Sequence, residues 1–144
     1  MLLLNTLCRQ ALVRTLVAVC LFSAGSSVWA DGREQAVRDT ILSQIEAFAI
    51  DDAEAAWSYA SDAIQAQFGS PDVFISMVRQ RYPAIYRATE IEFRELVPHD
   101  GFVVQTVRFK GPQGGLWDSV YTLTEQEDGW HIGGVALKQA NLGI

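Results

Sequence analysis

Phe102-Val103-Val104-Gln105-Thr106-Val107-Arg108-Phe109 is the stretch from which the rest of the chain can be read. Its β-branched and aromatic residues, with turn residues on either side, define a strand. Alternate side chains of a strand point to opposite faces. Val103, Gln105, Val107 and Phe109 therefore share one face, and Phe102, Val104, Thr106 and Arg108 the other. A strand with one wet face alternates cleanly, whereas here both faces are partly apolar. That predicts helices over one face and a second cover, such as a partner subunit, over the other. Gln105 is the one amide on the face assigned to the helices. It must find a hydrogen-bond partner or a ligand there, because an unsatisfied buried amide costs about 1–3 kcal/mol.

Working outward, Pro98-His99-Asp100-Gly101 is turn chemistry leading into this strand. Before it, Ile91 and Phe93 alternate with Glu90, Glu92 and Arg94, the pattern of a half-exposed strand. After it, Gly111-Pro112-Gln113-Gly114-Gly115 makes a loose connection. Trp117, Ser119, Tyr121 and Leu123 then alternate with Asp118, Val120 and Thr122 in a third strand. Asp128-Gly129 closes an acidic turn, and Trp130 to Leu137 forms the last strand, with Gly133-Gly134 marking a bulge or bend.

The chain N-terminal to this meander is helical in period. Asp31 with Glu34 reads as a helix start, after which Val37, Ile41, Ile45 and Phe48 recur at spacings of four, four and three, an amphipathic stripe. Asp51-Asp52-Ala53-Glu54 restarts a helix with almost no loop, and Ala53, Ala56, Trp57, Ala60 and Ile64 form its apolar side up to Phe68 and the stop at Gly69. Ser70-Pro71-Asp72 is a third start, with Phe74, Met77 and Val78 facing inward until Pro83 ends the helix near Tyr82. The expected class is α+β: three N-terminal helices packed on a bent, four-stranded antiparallel sheet in a cone-like arrangement.

Met1 to Ala30 has no acid, places Arg9 and Arg14 early, is apolar from Thr15 to Phe22, and ends Val28-Trp29-Ala30. These are the features of a secretory signal peptide cleaved after Ala30, since the apolar block falls short of the roughly 20 residues that span a bilayer. An uncleaved anchor is disfavoured by Arg14, and a lipid anchor on Cys20 by Val19 before it. Cleavage would leave one domain, residues 31–144, exported to the periplasm or medium with no stable membrane anchor. It would carry a net charge of −8 instead of −6, because two arginines and no acid leave with the first 30 residues. An acidic domain of this kind excludes nucleic acid as the expected partner. Both cysteines, Cys8 and Cys20, lie in the leader, so packing without disulfides must hold the mature domain.

The helix junction Phe48-Ala49-Ile50-Asp51-Asp52, then Trp57, Ala60-Ser61, Phe74, Met77-Val78 and Tyr82-Pro83, and finally Gly129-Trp130-His131-Ile132-Gly133-Gly134-Val135 with Leu137, resemble the bacterial secreted family called domain of unknown function 4864. The resemblance covers about residues 36 to 138. The order of elements is similar to the nuclear transport factor 2-like, cystatin-like cone superfamily, which holds isomerases, dehydratases and many binding or dimerising modules. It implies a fold without fixing a function. It also implies no cofactor and supplies no active-site residues.

The residues themselves point weakly to chemistry. His99 and His131 are far apart and no cysteine remains in the mature domain, so a structural metal lacks ligands. No serine stands in a Gly-x-Ser-x-Gly elbow, and Gly111 to Gly115 joins two strands instead of opening a helix that would cradle phosphate. Three readings remain. A module binding a small apolar ligand or a protein would use Trp57, Tyr59, Phe74, Gln105 and Tyr121 as cavity lining. A cofactor-free acid–base enzyme would use Asp118, Tyr59 and Tyr121 in the same cavity, although Asp118 alternates away from Tyr121. A homodimer would bury Phe102 and Val104 on the outer sheet face, unless Thr106, Arg108 and the C-terminal tail cover it.

Overall fold

The computed structural model describes residues 25–140. The chain divides into two units, Met1–Arg33 and Glu34–Ile144, and the sheet with everything packed on it belongs to the second. Most of the expected leader, including both cysteines, and the last four residues lie outside the described part.

Among the described residues, five helices precede four strands: α1 (Gly25–Ala49), α2 (Ala53–Ser58), α3 (Asp62–Phe68), α4 (Pro71–Arg81), α5 (Pro83–Tyr86), β1 (Glu90–Pro98), β2 (Val103–Lys110), β3 (Leu116–Gln126) and β4 (Gly129–Gln139). The strands form one antiparallel sheet in the order β1-β2-β3-β4. This is the α+β arrangement that the change of period predicts. On β2, Val103, Gln105, Val107 and Phe109 are buried and the alternate residues half-buried, as the alternation requires. From α1, Val37, Ile41, Ile45 and Phe48 are buried in the same core, so the sequence stripe is the buried stripe of the helix.

Two sequence expectations about the helices need correction. Asp31 does not cap a helix, because α1 is already helical from Gly25 and the amides of residues 31–34 fall inside it. The expected second helix is two helices. The chain leaves helical geometry at Ala60, where Ser61 N–H donates to Ile132 O at 2.9 Å and Ile132 N–H to Tyr59 O at 2.8 Å. Those bonds satisfy backbone groups at the break, and Ser61 starts α3 by accepting from Ile64 N–H. Beyond Pro83 the chain makes one further turn, α5, which buries Ala84, Ile85 and Tyr86.

The other helix boundaries follow their sequence signals. Asp52 accepts from Ala55 N–H, Ser70 accepts from Val73 N–H ahead of Pro71, and Gly69 ends α3 at φ 77°, the left-handed conformation that suits glycine. The α1–α2 corner turns through Asp51 at φ 58°. The Asp51 carboxylate accepts from the Tyr86 hydroxyl and from Arg87 Nη2 at 2.8 and 3.0 Å, while Arg87 Nη1 donates to Phe48 O at 2.6 Å. That corner is therefore tied to the end of the helical layer.

Two bulges shape the sheet. Between Phe93 and Leu96, β1 carries Arg94 and Glu95 opposite the single Thr106 of β2. Between β3 and β4, Thr122 pairs with Gly134 and Leu123 with Ile132, so Gly133 is the extra residue, at the glycine pair that the sequence marks. An extra residue on one strand raises the local twist and bends the strand that carries it.

Candidate functional site

A cavity of about 490 Å³ opens between the helices and the inner face of the sheet. Its apolar wall comes from Phe48 of α1, Ile64 and Phe68 of α3, Phe74, Met77 and Val78 of α4, and Ile132 and Val135 of β4. The helix periods that bury Phe48, Phe74 and Val78 also bring them to this space. Tyr121 of β3 lines it from the sheet and is 1% exposed. Its hydroxyl has no hydrogen-bond partner, and burial pushes its pKa well up, so it is un-ionised at any physiological pH. The exposed part of the lining is polar: Gln67 from α3 and Arg81 at the end of α4. Half-buried Tyr82 lies beside them and donates its hydroxyl to Val135 O at 3.4 Å.

The structure separates the five residues expected to line a cavity. Phe74 and Tyr121 do line it. Trp57 instead packs its ring edge-on to Phe74 at 5.7 Å and borders a different, polar groove with Glu54, Asp62, Glu127, Asp128 and His131. Tyr59 ends α2 half-buried and gives its carbonyl to Ile132 N–H. Gln105 is fully buried on the inner face, but it serves the β1 bulge. Its Nε2 lies 3.3 Å from Arg94 O, 3.2 Å from Glu95 O and 2.9 Å from Thr106 O. An irregular stretch of strand leaves carbonyls without ladder partners, and the amide supplies donors to them.

Asp118 stands on the outer face, away from the cavity, with Arg108 Nε and Nη2 donating to its two oxygens at 2.7 and 2.9 Å. The Arg108 hydrogen bonds hold its carboxyl below the usual aspartate range, the opposite of the raised pKa that a carboxylic acid donor needs. Across the sheet the same row continues, with Glu92 opposite Arg108 and Lys138 opposite Asp118, so charge alternates over four strands.

The two histidines are separately engaged. His99 stacks on Phe102 with ring centroids 4.6 Å apart. His131 is 8% exposed, with Nδ1 3.3 Å from Ala60 O and Nε2 2.8 Å from Asp128 Oδ1. Among the described residues no group of three histidine, cysteine or acidic side chains could hold a metal ion. Nor is any described helix long and apolar enough to cross a membrane.

The residue that the sequence reading passed over is Arg81. A cation in the last turn of a helix reads as complementing the helix dipole, and only the assembled fold places it on a cavity.

Helices laid on one face of an antiparallel meander, with an apolar cavity between the layers, match the fold of NTF-2-like proteins. One solved structure of this kind is an NTF-2 like protein of unknown function from Silicibacter pomeroyi DSS-3. It matches at a TM-score of 0.56 and 16% identity, over 77% of this chain and 98% of that one. A Bdellovibrio bacteriovorus protein, Bd1075, matches at a TM-score of 0.53 and 13% identity, over 82% of this chain and 44% of that one. Likeness at these identities shows the fold alone. The chain belongs to the family described as Domain of unknown function (DUF4864), whose model matches residues 30–142. No curated protein matches the chain.

Proposed function

We propose that the chain is an exported binding module that takes up a small, mostly apolar molecule in the cavity between the helices and the sheet. The observation that carries this reading is the cavity: its volume of about 490 Å³ falls within the range of roughly 300–1,000 Å³ usual for small-molecule sites. Its lining is aromatic and aliphatic with few polar groups, the composition of a site that selects by shape and apolar surface. A catalytic reading lacks its acid, since Asp118 is on the far face and paired. Export rests on the leader features at Met1 to Ala30, and intact-mass measurement of the protein from the producing cell is expected to show loss of those 30 residues. Binding is tested by thermal unfolding against a library of lipophilic small molecules. Stabilisation by a shared scaffold is expected, and no shift across the library would refute the reading.

A second reading, self-association through the outer sheet face, is favoured by the row Glu92, Arg108, Asp118, Lys138. A two-fold axis between two stacked sheets, parallel to the strands, reverses the row, so each charge meets its opposite. Val120, 42% exposed beside that row, would be buried. Sedimentation of wild type and Val120→Glu tests it: a dimer that the substitution dissociates is expected, and a monomer at high concentration would dismiss it.

A further inference from the structure

We infer that the ligand of this cavity is an anionic amphiphile, an apolar chain or ring system ending in a carboxylate, held by Arg81 at the opening. The inference rests on the binding reading above and adds the chemical class. From Glu34 onward the chain has six arginines. Arg38, Arg79, Arg87, Arg94 and Arg108 each have a carboxylate oxygen within 4 Å. Among the described residues Arg81 has none, and it lines the cavity.

In a chain of net charge −6, Arg81 differs from the other five of these arginines in having no carboxylate oxygen within 4 Å among the described residues, and its guanidinium is left for another acceptor. Placed where an apolar cavity meets water, it gives the site a polarity: a floor of Phe48, Phe74, Val78 and Ile132, and a rim of Arg81, Gln67 and Tyr82. A molecule apolar throughout would leave the rim unused. A cationic amphiphile would meet Arg81 with like charge. A carboxylate accepts two parallel N–H bonds from the planar guanidinium, and the Gln67 amide adds a donor of the same polarity at the rim. Because Arg81 is solvent-exposed, its attraction for the head group is screened by salt, whereas burial of the tail is not.

The test measures binding of decanoate, decan-1-ol and decyltrimethylammonium to wild type, Arg81→Gln and Arg81→Lys by titration calorimetry, below the micellar range and at low and high sodium chloride. Decanoate is expected to bind wild type tightest, to weaken about tenfold in Arg81→Gln, corresponding to ~1.4 kcal/mol, and to weaken with salt. Decan-1-ol should bind both proteins alike and be insensitive to salt, and Arg81→Lys should keep most of the decanoate affinity. If decanoate and decan-1-ol bind equally and Arg81→Gln changes neither, or if the ammonium compound binds as well, the anionic class is overturned while the cavity reading stands. If none of the three binds, the cavity reading fails and the inference falls with it. Arg81 is exposed, so its substitution leaves the core intact, and matched unfolding temperatures check this.

Discussion

Gln105 and Tyr121 stand opposite one another on the inner face of the sheet, and each keeps one oxygen without a hydrogen-bond partner. The two are 0% and 1% exposed, so the sheet contains two buried oxygens without partners, that of Tyr121 in a residue that lines the cavity and that of Gln105 in one that does not. The donor side of Gln105 is fully used by the β1 bulge, whereas the Tyr121 hydroxyl is not used at all.

Replacing Gln105 by leucine keeps the volume but strips donors from the bulge carbonyls, and a loss of roughly 1–3 kcal/mol in denaturant unfolding is expected. Gln105→Glu should be worse at neutral pH, because a carboxylate would face three carbonyl oxygens. Its folded pKa would lie above the unfolded value, so the penalty is absent below the unfolded pKa and grows as pH rises toward the folded pKa. Urea midpoints between pH 4 and 8 check both, and a Gln105→Glu protein as stable as wild type at pH 8 would contradict the role assigned to the amide.

Tyr121→Phe removes a hydroxyl that is buried without a partner. The ligand-free protein is expected to be as stable as wild type or more so, since no bond is lost and a desolvated group disappears. A fall of more than about 1 kcal/mol in stability would show that the hydroxyl is engaged after all.

The Arg108–Asp118 pair is a pH-dependent contact of the outer face. The Asp118 pKa is lowered in the folded protein, chiefly by its hydrogen bonds from Arg108. Its contribution is therefore present above the unfolded value of 3.8 and is lost as pH falls through the folded pKa. Asp118→Asn should flatten the acid limb of the stability curve while leaving cavity binding unchanged. Loss of ligand binding in that variant would return Asp118 to the site.

At the α1–α2 corner, Asp51 combines a left-handed backbone with an ionic link to Arg87. Glycine tolerates the backbone and loses the link, whereas alanine loses both. Melting temperatures should therefore order as wild type, then Asp51→Gly, then Asp51→Ala. An alanine variant melting above the glycine one would contradict the backbone argument.

Much of this molecule is legible in its sequence because local periods and caps decide it. The alternation at Val103, Val107 and Phe109 fixes a buried face, the stripe from Val37 to Phe48 fixes another, and Ser70-Pro71 and Gly69 place helix ends. What is not legible depends on residues far away. Ala60 has the spacing of a helix interior, and it leaves the helix because Ile132, seventy-two positions on, offers it strand-like bonds. Gln105 looks like a ligand anchor, because the bulge that occupies it arises only when β1 and β2 pair. Trp57 and Phe74 share an aromatic character that cannot say which of them meets the void, and Arg81 has no apolar pattern to mark it.

The bulge and the Ala60 segment also finish the sheet. At the β1 edge the ladder is interrupted at Arg94 and Glu95 and flanked by exposed Glu90 and Glu92, so an incoming strand meets charge and a broken register. At the β4 edge, the outward N–H and C=O of Ile132 are already taken by Tyr59 and Ser61. Each margin is thus interrupted at one point along its length. Both interruptions work against growth by strand addition into fibrous aggregates.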